Sequence, residues 1–292
     1  MSEKFPVISI AKQAYSQALT YRKGLAYTAL LTMGLFALGY GLIYAVFGSG
    51  TAEMLEVASH GGKMPMPAAN GATILWALLA LAIVFFFFSM IFNMWVRYGS
   101  LGEDGVAYSS TATALKAGFI TMVKFFFIGI LLVIVAGVVN AVLMITGVMP
   151  PAPEGEMLVP TASNVILSTL VLYGVISGIY SLFSSNLTQT ALGSDKEEVG
   201  PAHVAEFAVV LFLINVVLLL PVGLLGLVLP FWLVWFVQCI AYVLLTAAIP
   251  VAHGLRYDWQ RQVFAGESAR DQFGITEAEA LSSSDDGGEE PK

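Results

Sequence analysis

The sequence predicts an all-α, polytopic membrane protein: six transmembrane helices arranged as three repeated hairpins, with short interfacial lead-in helices. Three observations predict it. The first is composition. Of 292 residues, 58% are hydrophobic and 11% are charged, and the mean hydropathy is +0.81. A soluble domain carries about a quarter charged residues, so this chain lacks the polar surface to cover a water-soluble globule. Composition also excludes disorder, collagen and a disulfide scaffold, and the single Cys239 cannot form an internal disulfide. The second observation is that charged residues break the chain into long neutral runs, at 24–52, 64–96, 125–153, 157–194 and 207–255. The third is the placement of lysine and arginine relative to those runs.

Each of the first four runs holds one stretch of the about 20 apolar residues that cross a bilayer. The fifth would make a single helix of about 73 Å at 1.5 Å per residue, more than twice the hydrocarbon thickness. It must fold back, and Pro221, Gly223, Gly226 and Pro230 supply the breakers. The expected spans are therefore 25–47, 73–96, 119–147, 165–187, 205–222 and 230–252. They lie in a transmembrane domain over 25–255, between a lead-in over 1–24 and a largely disordered tail over 256–292. Period-two alternation is too poor for barrel strands, and helix is the other backbone solution without water.

Six spans put both termini on one side, together with every Lys and Arg except Lys63. The positive-inside rule then reads a cytoplasmic (inner) membrane protein with cytoplasmic N- and C-termini. A five-span alternative would leave Arg256 and Arg261 against the outer surface. No apolar secretory h-region opens the chain, so the first span is expected to act as an uncleaved signal-anchor. Tyr21, Trp95, Tyr98, Tyr257 and Trp259 fall near the inner boundary, and Tyr44, Trp76, Trp232 and Trp235 near the outer one, as amphipathic rings favour.

The hairpins carry a partial repeat. At an offset of 93, Ala14, Tyr15, Ser16, Thr20, Lys23 and Thr28 meet Ala107, Tyr108, Ser109, Thr113, Lys116 and Thr121. Leu101-Gly102 before Asp104 recurs as Leu192-Gly193 before Asp195, and Arg97-Tyr98 recurs as Arg256-Tyr257. Segments 9–24 and 104–118 read as interfacial helices with apolar faces in the headgroup layer. The first could also be a plain extension of the first span.

With its lead-in from Ala14-Tyr15 to Lys23-Gly24 and its Gly- and Phe-rich spans, the chain over about 5–260 resembles the membrane-domain family attached to glycerophosphoryl diester phosphodiesterases, and similar prokaryotic membrane families. The resemblance implies a bundle of six or more helices. The residues after the last span leave no room for the phosphodiesterase domain, so no catalytic residue is carried over.

Ionisable groups inside a bilayer are costly and usually functional, and the runs contain almost none. Lys124 can snorkel to the surface, and Glu206 sits where a helix N-terminus favours a carboxylate. The absence of a buried Asp or Glu argues against a proton-coupled pump. Asn215 and Gln238 are expected near the middle of adjacent spans, as a pair across the last hairpin that either glues the helices or lines a solute path. Gly174 and Gly178 form a GxxxG, Ala37, Gly41 and Ala45 a second small-residue stripe, and Ser177, Ser181 and Ser185 a third. All read as helix-packing surfaces. Lys12, Lys23 and Lys116 are candidate contacts for lipid headgroups. His60, His203 and His253 have no second ligand at metal spacing, and no phosphate-binding, hydrolase or protease motif occurs. No metal or cofactor is expected, and the net charge of −7 argues against nucleic acid.

The outward loops are expected to hold a short helix over 51–59 and an extended run from Pro150 to Glu154. The acidic segment 275–292 reads as a solvated tail, or as a docking segment for a basic partner. The leading functional expectation is a non-enzymatic membrane protein that organises, assembles or regulates membrane components. Its partners would be the bilayer and other membrane proteins. The alternative is a permease or channel for a small or lipid-like solute, and a lipid-modifying enzyme is the remaining class. A continuous polar cavity containing Asn215 and Gln238 would favour transport.

Overall fold

The computed structural model describes residues 5–47, 71–145, 162–193 and 203–273. They form helices α1 (Val7–Thr20), α2 (Arg22–Phe47), α3 (Gly71–Leu101), α4 (Thr111–Ile145), α5 (Ala162–Leu192), α6 (Val204–Leu225) and α7 (Phe231–Phe273). The last five contain stretches long and apolar enough to cross a membrane: Leu78–Leu101, Thr111–Leu143, Val165–Leu192, Val204–Leu225 and Leu233–Val263. These are the helices of a multi-pass membrane protein. The segment expected to cross first, 25–47, is also helical, as part of α2, and stands outside those five. The expected helix over 51–59, the Pro150–Glu154 run and the acidic segment 275–292 lie outside the described residues.

Consecutive long helices are antiparallel. Tyr21 and Thr28 at the start of α2 meet Tyr98 and Trp95 of α3. Thr121 and Phe125 of α4 meet Asn93 and Phe88 of α3. Thr113 and Lys124 of α4 face Gly193 and Asn186 at the end of α5. Val165 and Gly174 of α5 face Gly223 and Phe212 of α6. Phe207 meets His253 across α6 and α7, while Gly226 meets Val234 beside the turn that joins them. The starts of α2, α4 and α6 therefore share one end of the bundle with the ends of α3 and α5, and α1 lies at that end.

Polarity is distributed inside out. Leu30, Val133, Ile134 and Leu182 are each more than half exposed, whereas Asn93, Arg97, Ser184, Asn215, His253 and Gln260 are buried. An apolar rim belongs against lipid, where apolar burial no longer drives association and close packing and interhelical hydrogen bonds take over. Buried Trp95 of α3 illustrates both. Its indole Nε1 donates to Thr28 Oγ1 at 2.8 Å, and Thr28 in turn donates to Gly24 O at 2.9 Å.

The most extensive packing is between α3 and α7, not within any of the expected hairpins. Two glycines make it possible. A Cβ on Gly99 would stand 2.5 Å from Val251 O, and one on Gly254 would overlap Val96 O. The helix backbones touch there, flanked by buried Val96, Ala247, Ala248, Val251 and Ala252. The two glycine-bearing stripes expected to serve this purpose do not, whereas Ser177 and Ser181 of the serine stripe are buried. A Cβ added to Gly41 or Gly178 would meet nothing within 4 Å, one on Gly174 would meet only the Phe212 ring edge at 4.0 Å, and Ala37 is exposed. Small residues allow close approach, but a partner helix has to be there.

Both expected lead-ins need revision. The first is a separate helix, α1, broken from α2 at Tyr21 (φ −82°, ψ 74°), whose ring stacks on Tyr98 at 4.5 Å. It is built into the bundle: Ile10, Ala11, Ala14 and Ala18 are buried, and the Tyr15 hydroxyl donates to Ile214 O of α6. Burial pushes the Tyr15 phenol above its ordinary value, which keeps the donor protonated. The second is not a helix of its own. Residues 104–110 are non-helical, and 111–118 is the first part of α4. Ser110 sets that start, its Oγ accepting from Thr113 N at 3.1 Å, and the helix runs on through Gly118 into the span. The first part of the segment 256–292 also differs from its expected state, because α7 continues through Phe273 and buries Arg256, Tyr257 and Gln260.

The repeated chain ends are real local structures. Gly102 and Gly193 both adopt positive φ, +75° and +62°, just after α3 and α5. That is the left-handed conformation that glycine supplies at a helix C-terminus. Arg97 ties the two ends together. Its guanidinium donates to Val106 O (3.2 Å), Ala107 O (2.9 Å) and Leu192 O (3.0 Å), and lies 4.3 Å from the centre of the Tyr108 ring. A cation there also suits the negative end of the α5 dipole.

Two outcomes follow for stability in detergent, measured by thermal or denaturant unfolding. Gly99→Ala or Gly254→Ala should cost about 1–3 kcal/mol, because the added carbon meets backbone that cannot rotate away. Gly41→Ala and Gly178→Ala should stay within about 0.5 kcal/mol. Arg97→Gln should cost about 2–3 kcal/mol, since it strips charge-assisted bonds from three carbonyls.

Candidate functional site: an intramembrane cavity and a buried polar cluster

The bundle interior holds a partly open cavity of about 270 Å³. Five helices contribute to its wall. Phe88 and Phe92 come from α3, Phe125 from α4, Tyr173, Ser177 and Tyr180 from α5, Asn215 from α6, and Tyr242 and Thr246 from α7. Ser177 and Asn215 sit near the middle of α5 and α6, so the cavity lies midway along the apolar stretches. Its wall is mainly aromatic and aliphatic, with a few polar atoms converging on it. One of them has no partner: Ser177 Oγ is buried and unbonded. A hydroxyl left unpaired in such surroundings is costly, and a ligand with one polar group would satisfy it.

Asn215 and Gln238 do not form the expected pair. Asn215 Nδ2 donates to Leu211 O of its own helix at 2.8 Å, and Gln238 Nε2 donates to Tyr242 Oη at 3.2 Å. Register explains this. Phe207 opposite His253 and Gly226 opposite Val234 set Asn215 opposite residue 245. Gln238 then lies two turns further along, about 10 Å away. Only Asn215 lines the cavity.

Beside the cavity, on the same faces of α5 and α7, lies a polar cluster. Ser184 Oγ and His253 Nδ1 share a hydrogen bond of 2.8 Å, and both residues are buried. The His253 ring is held edge-on by Phe92 (5.4 Å) and Phe207 (5.0 Å), and its Nε2 has no hydrogen-bond partner. Arg256 follows one turn later, its guanidinium 4.9 Å from the Phe207 ring centre. Ser184, Thr188, His253, Arg256 and Gln260 surround a second space of about 10 Å³, about the volume a single water needs. Phe92 thus borders the larger cavity and contacts the His253 ring of this cluster.

Sequence reasoning weighs His253 only as a metal ligand and misses its setting. A signal is present. Thr246, His253, Arg256 and Gln260 fall on one face of α7, and Ser177, Ser181, Ser184 and Thr188 on one face of α5, a polar seam at helical spacing on two apolar helices. His203 and Glu206 do meet, at 3.4 Å, with His203 stacked on Phe5, but among the described residues no group of three metal-binding side chains forms.

The headgroup candidates are not gathered into one site. Lys12 is exposed on α1 and Lys23 on the first turn of α2. Lys116 lies on α4, in a groove that also holds Lys124. Comparison with protein-family models, curated proteins and solved structures finds no match. Function is therefore argued from the chain's own geometry.

Removing Ser184 tests the cluster. Ser184→Ala removes the partner of His253 Nδ1, leaving both ring nitrogens buried and unbonded, and should cost about 1–3 kcal/mol. Adding His253→Leu should recover much of that loss, because the polar atom and its partner then leave together. Unfolding of the two single variants and the double variant measures the coupling.

Proposed function

We propose that this protein is a non-enzymatic, six-span protein of the cytoplasmic membrane, with both termini cytoplasmic, and that it carries a lipid-like solute. The observation that supports the carrier reading best is the cavity, mid-bundle, mainly apolar and partly open, with one unsatisfied hydroxyl at Ser177. A bundle serving only to organise other components has no use for such a space, since empty volume forfeits packing contacts. The mainly apolar wall suits a hydrocarbon body with a single hydroxyl or carbonyl rather than an ion or a sugar. Phe92, which lines the cavity, also packs on His253 of the polar cluster, so the two spaces lie side by side.

The antiparallel order of α2 to α7 and the distribution of Lys and Arg support the reading of six spans with cytoplasmic termini. The three-hairpin repeat has local support only. Thr28 and Thr121, which the 93-residue offset pairs, both hydrogen-bond to α3, and Gly102 and Gly193 end their helices alike. By contrast Ala14-Tyr15-Ser16 is helical and Ala107-Tyr108-Ser109 is not.

A photoactivatable long-chain alcohol in proteoliposomes tests the reading. Crosslinks should map to the peptides bearing Tyr173–Tyr180 and Tyr242–Thr246. Thr246→Trp, which fills the cavity, should reduce them by about five-fold, equivalent to about 1 kcal/mol of binding. Protein-dependent transfer of the alcohol between leaflets would mark a carrier. Binding without transfer would return the protein to the organising class, and labelling indifferent to Thr246→Trp would remove the cavity from the argument.

A further inference from the structure

A second recess lies on the opposite face of α5 from the cavity. It is an open groove of about 600 Å³ between the first turns of α4 and the last turns of α5. On α4, Thr113, Lys116, Ala117, Ile120 and Lys124 recur at helical spacing along its wall. On α5, Asn186, Gln189, Thr190 and Gly193 do the same. Small residues keep the floor low: Ala117 is buried, and a Cβ on Gly193 would already be 3.8 Å from Thr113 Cγ2. Among the described residues, the side chains lining the groove include two ammonium groups, two threonine hydroxyls and two amides, and no carboxylate.

Lys124 is the informative group. It lies thirteen residues into α4, about 20 Å along the helix axis, well inside the apolar stretch Thr111–Leu143. Its Nζ crosses to α5, where it donates to Asn186 O at 3.1 Å and to Thr190 Oγ1. A cation at that depth is stabilised when its head reaches a polar, wet or anionic environment, and the groove runs from it toward the bundle end where Lys116 is exposed. Beside the groove the two helices present bare apolar surface. On α4 Phe119 is 57% exposed and Phe127 64%, and on α5 Leu182 is 68% exposed. Positive polar recess and apolar ridge are thus arranged as the headgroup and chains of a phospholipid are.

We propose that the groove between α4 and α5 binds one anionic phospholipid, with its phosphate held between Lys116 and Lys124 and its acyl chains along the exposed apolar faces of those helices. The site is separate from the cavity and rests on the membrane embedding of α4 and α5, not on the identity of any carried solute. It also gives Lys116 a more specific role than attraction to a charged surface, and sets it apart from Lys12 and Lys23.

The test uses the purified full-length protein in detergent, with lipid retention read by native mass spectrometry. Phosphatidylglycerol should be retained as one equivalent, at about ten-fold lower added concentration than zwitterionic phosphatidylcholine. The Lys116→Gln/Lys124→Gln variant should lose that preference, while Lys12→Gln/Lys23→Gln should keep it. Should the first variant unfold, Lys116→Glu alone, at an exposed position, should abolish the preference. Displacement of the lipid by millimolar inorganic phosphate would mean a free-phosphate site and overturn the proposal. Equal retention of the two lipids, or a preference that survives both groove variants, would overturn it as well.

Discussion

The contact of α3 with α7 at Gly99 and Gly254 is the constraint on which the rest of the bundle depends. Lipid does not push helices together as water does, so helices in a bilayer hold one another by fit. Here two backbones come close enough that neither glycine has room for a methyl group without a shift. That contact sets the depth of α7 relative to α3. It brings His253, one residue from Gly254, under the rings of Phe92 and Phe207. It also places Arg256 and Gln260 in the interior, which is why α7 continues as a packed helix where composition alone suggests a tail.

With apolar surface turned outward, polar groups must find partners inside: some bond a carbonyl of their own helix, as Ser100 and Asn215 do, and others reach between helices. Trp95 reaches Thr28, Thr121 reaches Asn93, Tyr15 reaches Ile214 O, Tyr108 reaches Ala191 O, and Arg97 spans three carbonyls. Each link is modest alone, about 0.6 kcal/mol on average for interhelical bonds in a membrane. Together they choose one register from many apolar helices that could otherwise slide. Two of the exceptions stand at or beside internal spaces. Ser177 Oγ and His253 Nε2 are buried without partners, the first at the cavity and the second beside the small space among Ser184, Arg256 and Gln260.

Much of the fold is legible from the sequence because the governing signal, absence of charge over bilayer-length runs, is local. Helices stand where 73–96, 165–187 and 205–222 are expected, and the break near Pro230 divides the longest run. Packing is not legible in the same way. GxxxG at Gly174 and Gly178 has the residue types of a close contact but no backbone opposite, whereas Gly99 and Gly254 make that contact without any motif. The expected Asn215–Gln238 pair fails for a similar reason. Being mid-span by count does not fix register, which long-range contacts set. The lead-in over 104–118 misleads because its similarity to 11–25 does not extend to where the helix begins. Ser110 caps a new helix there, while the corresponding Gln17 lies within α1.

Helix α5 shows how one apolar element can serve two environments. Its periodicity sends Tyr173, Ser177, Tyr180, Ser184 and Thr188 inward, along the cavity and then the polar cluster, and Asn186, Thr190 and Gly193 to the opposite side, along the groove with α4. None of these residues carries a full charge, so neither face disturbs the hydropathy that keeps the helix in the membrane. The cost of that economy is that two of these polar atoms rely on a neighbour from another helix: Ser184 on His253, and Thr190 on Lys124. A rotation of α5 by one residue, about 100°, would break both links at once. The cavity and the groove are therefore coupled through the rotational setting of one helix, although no side chain runs from one to the other.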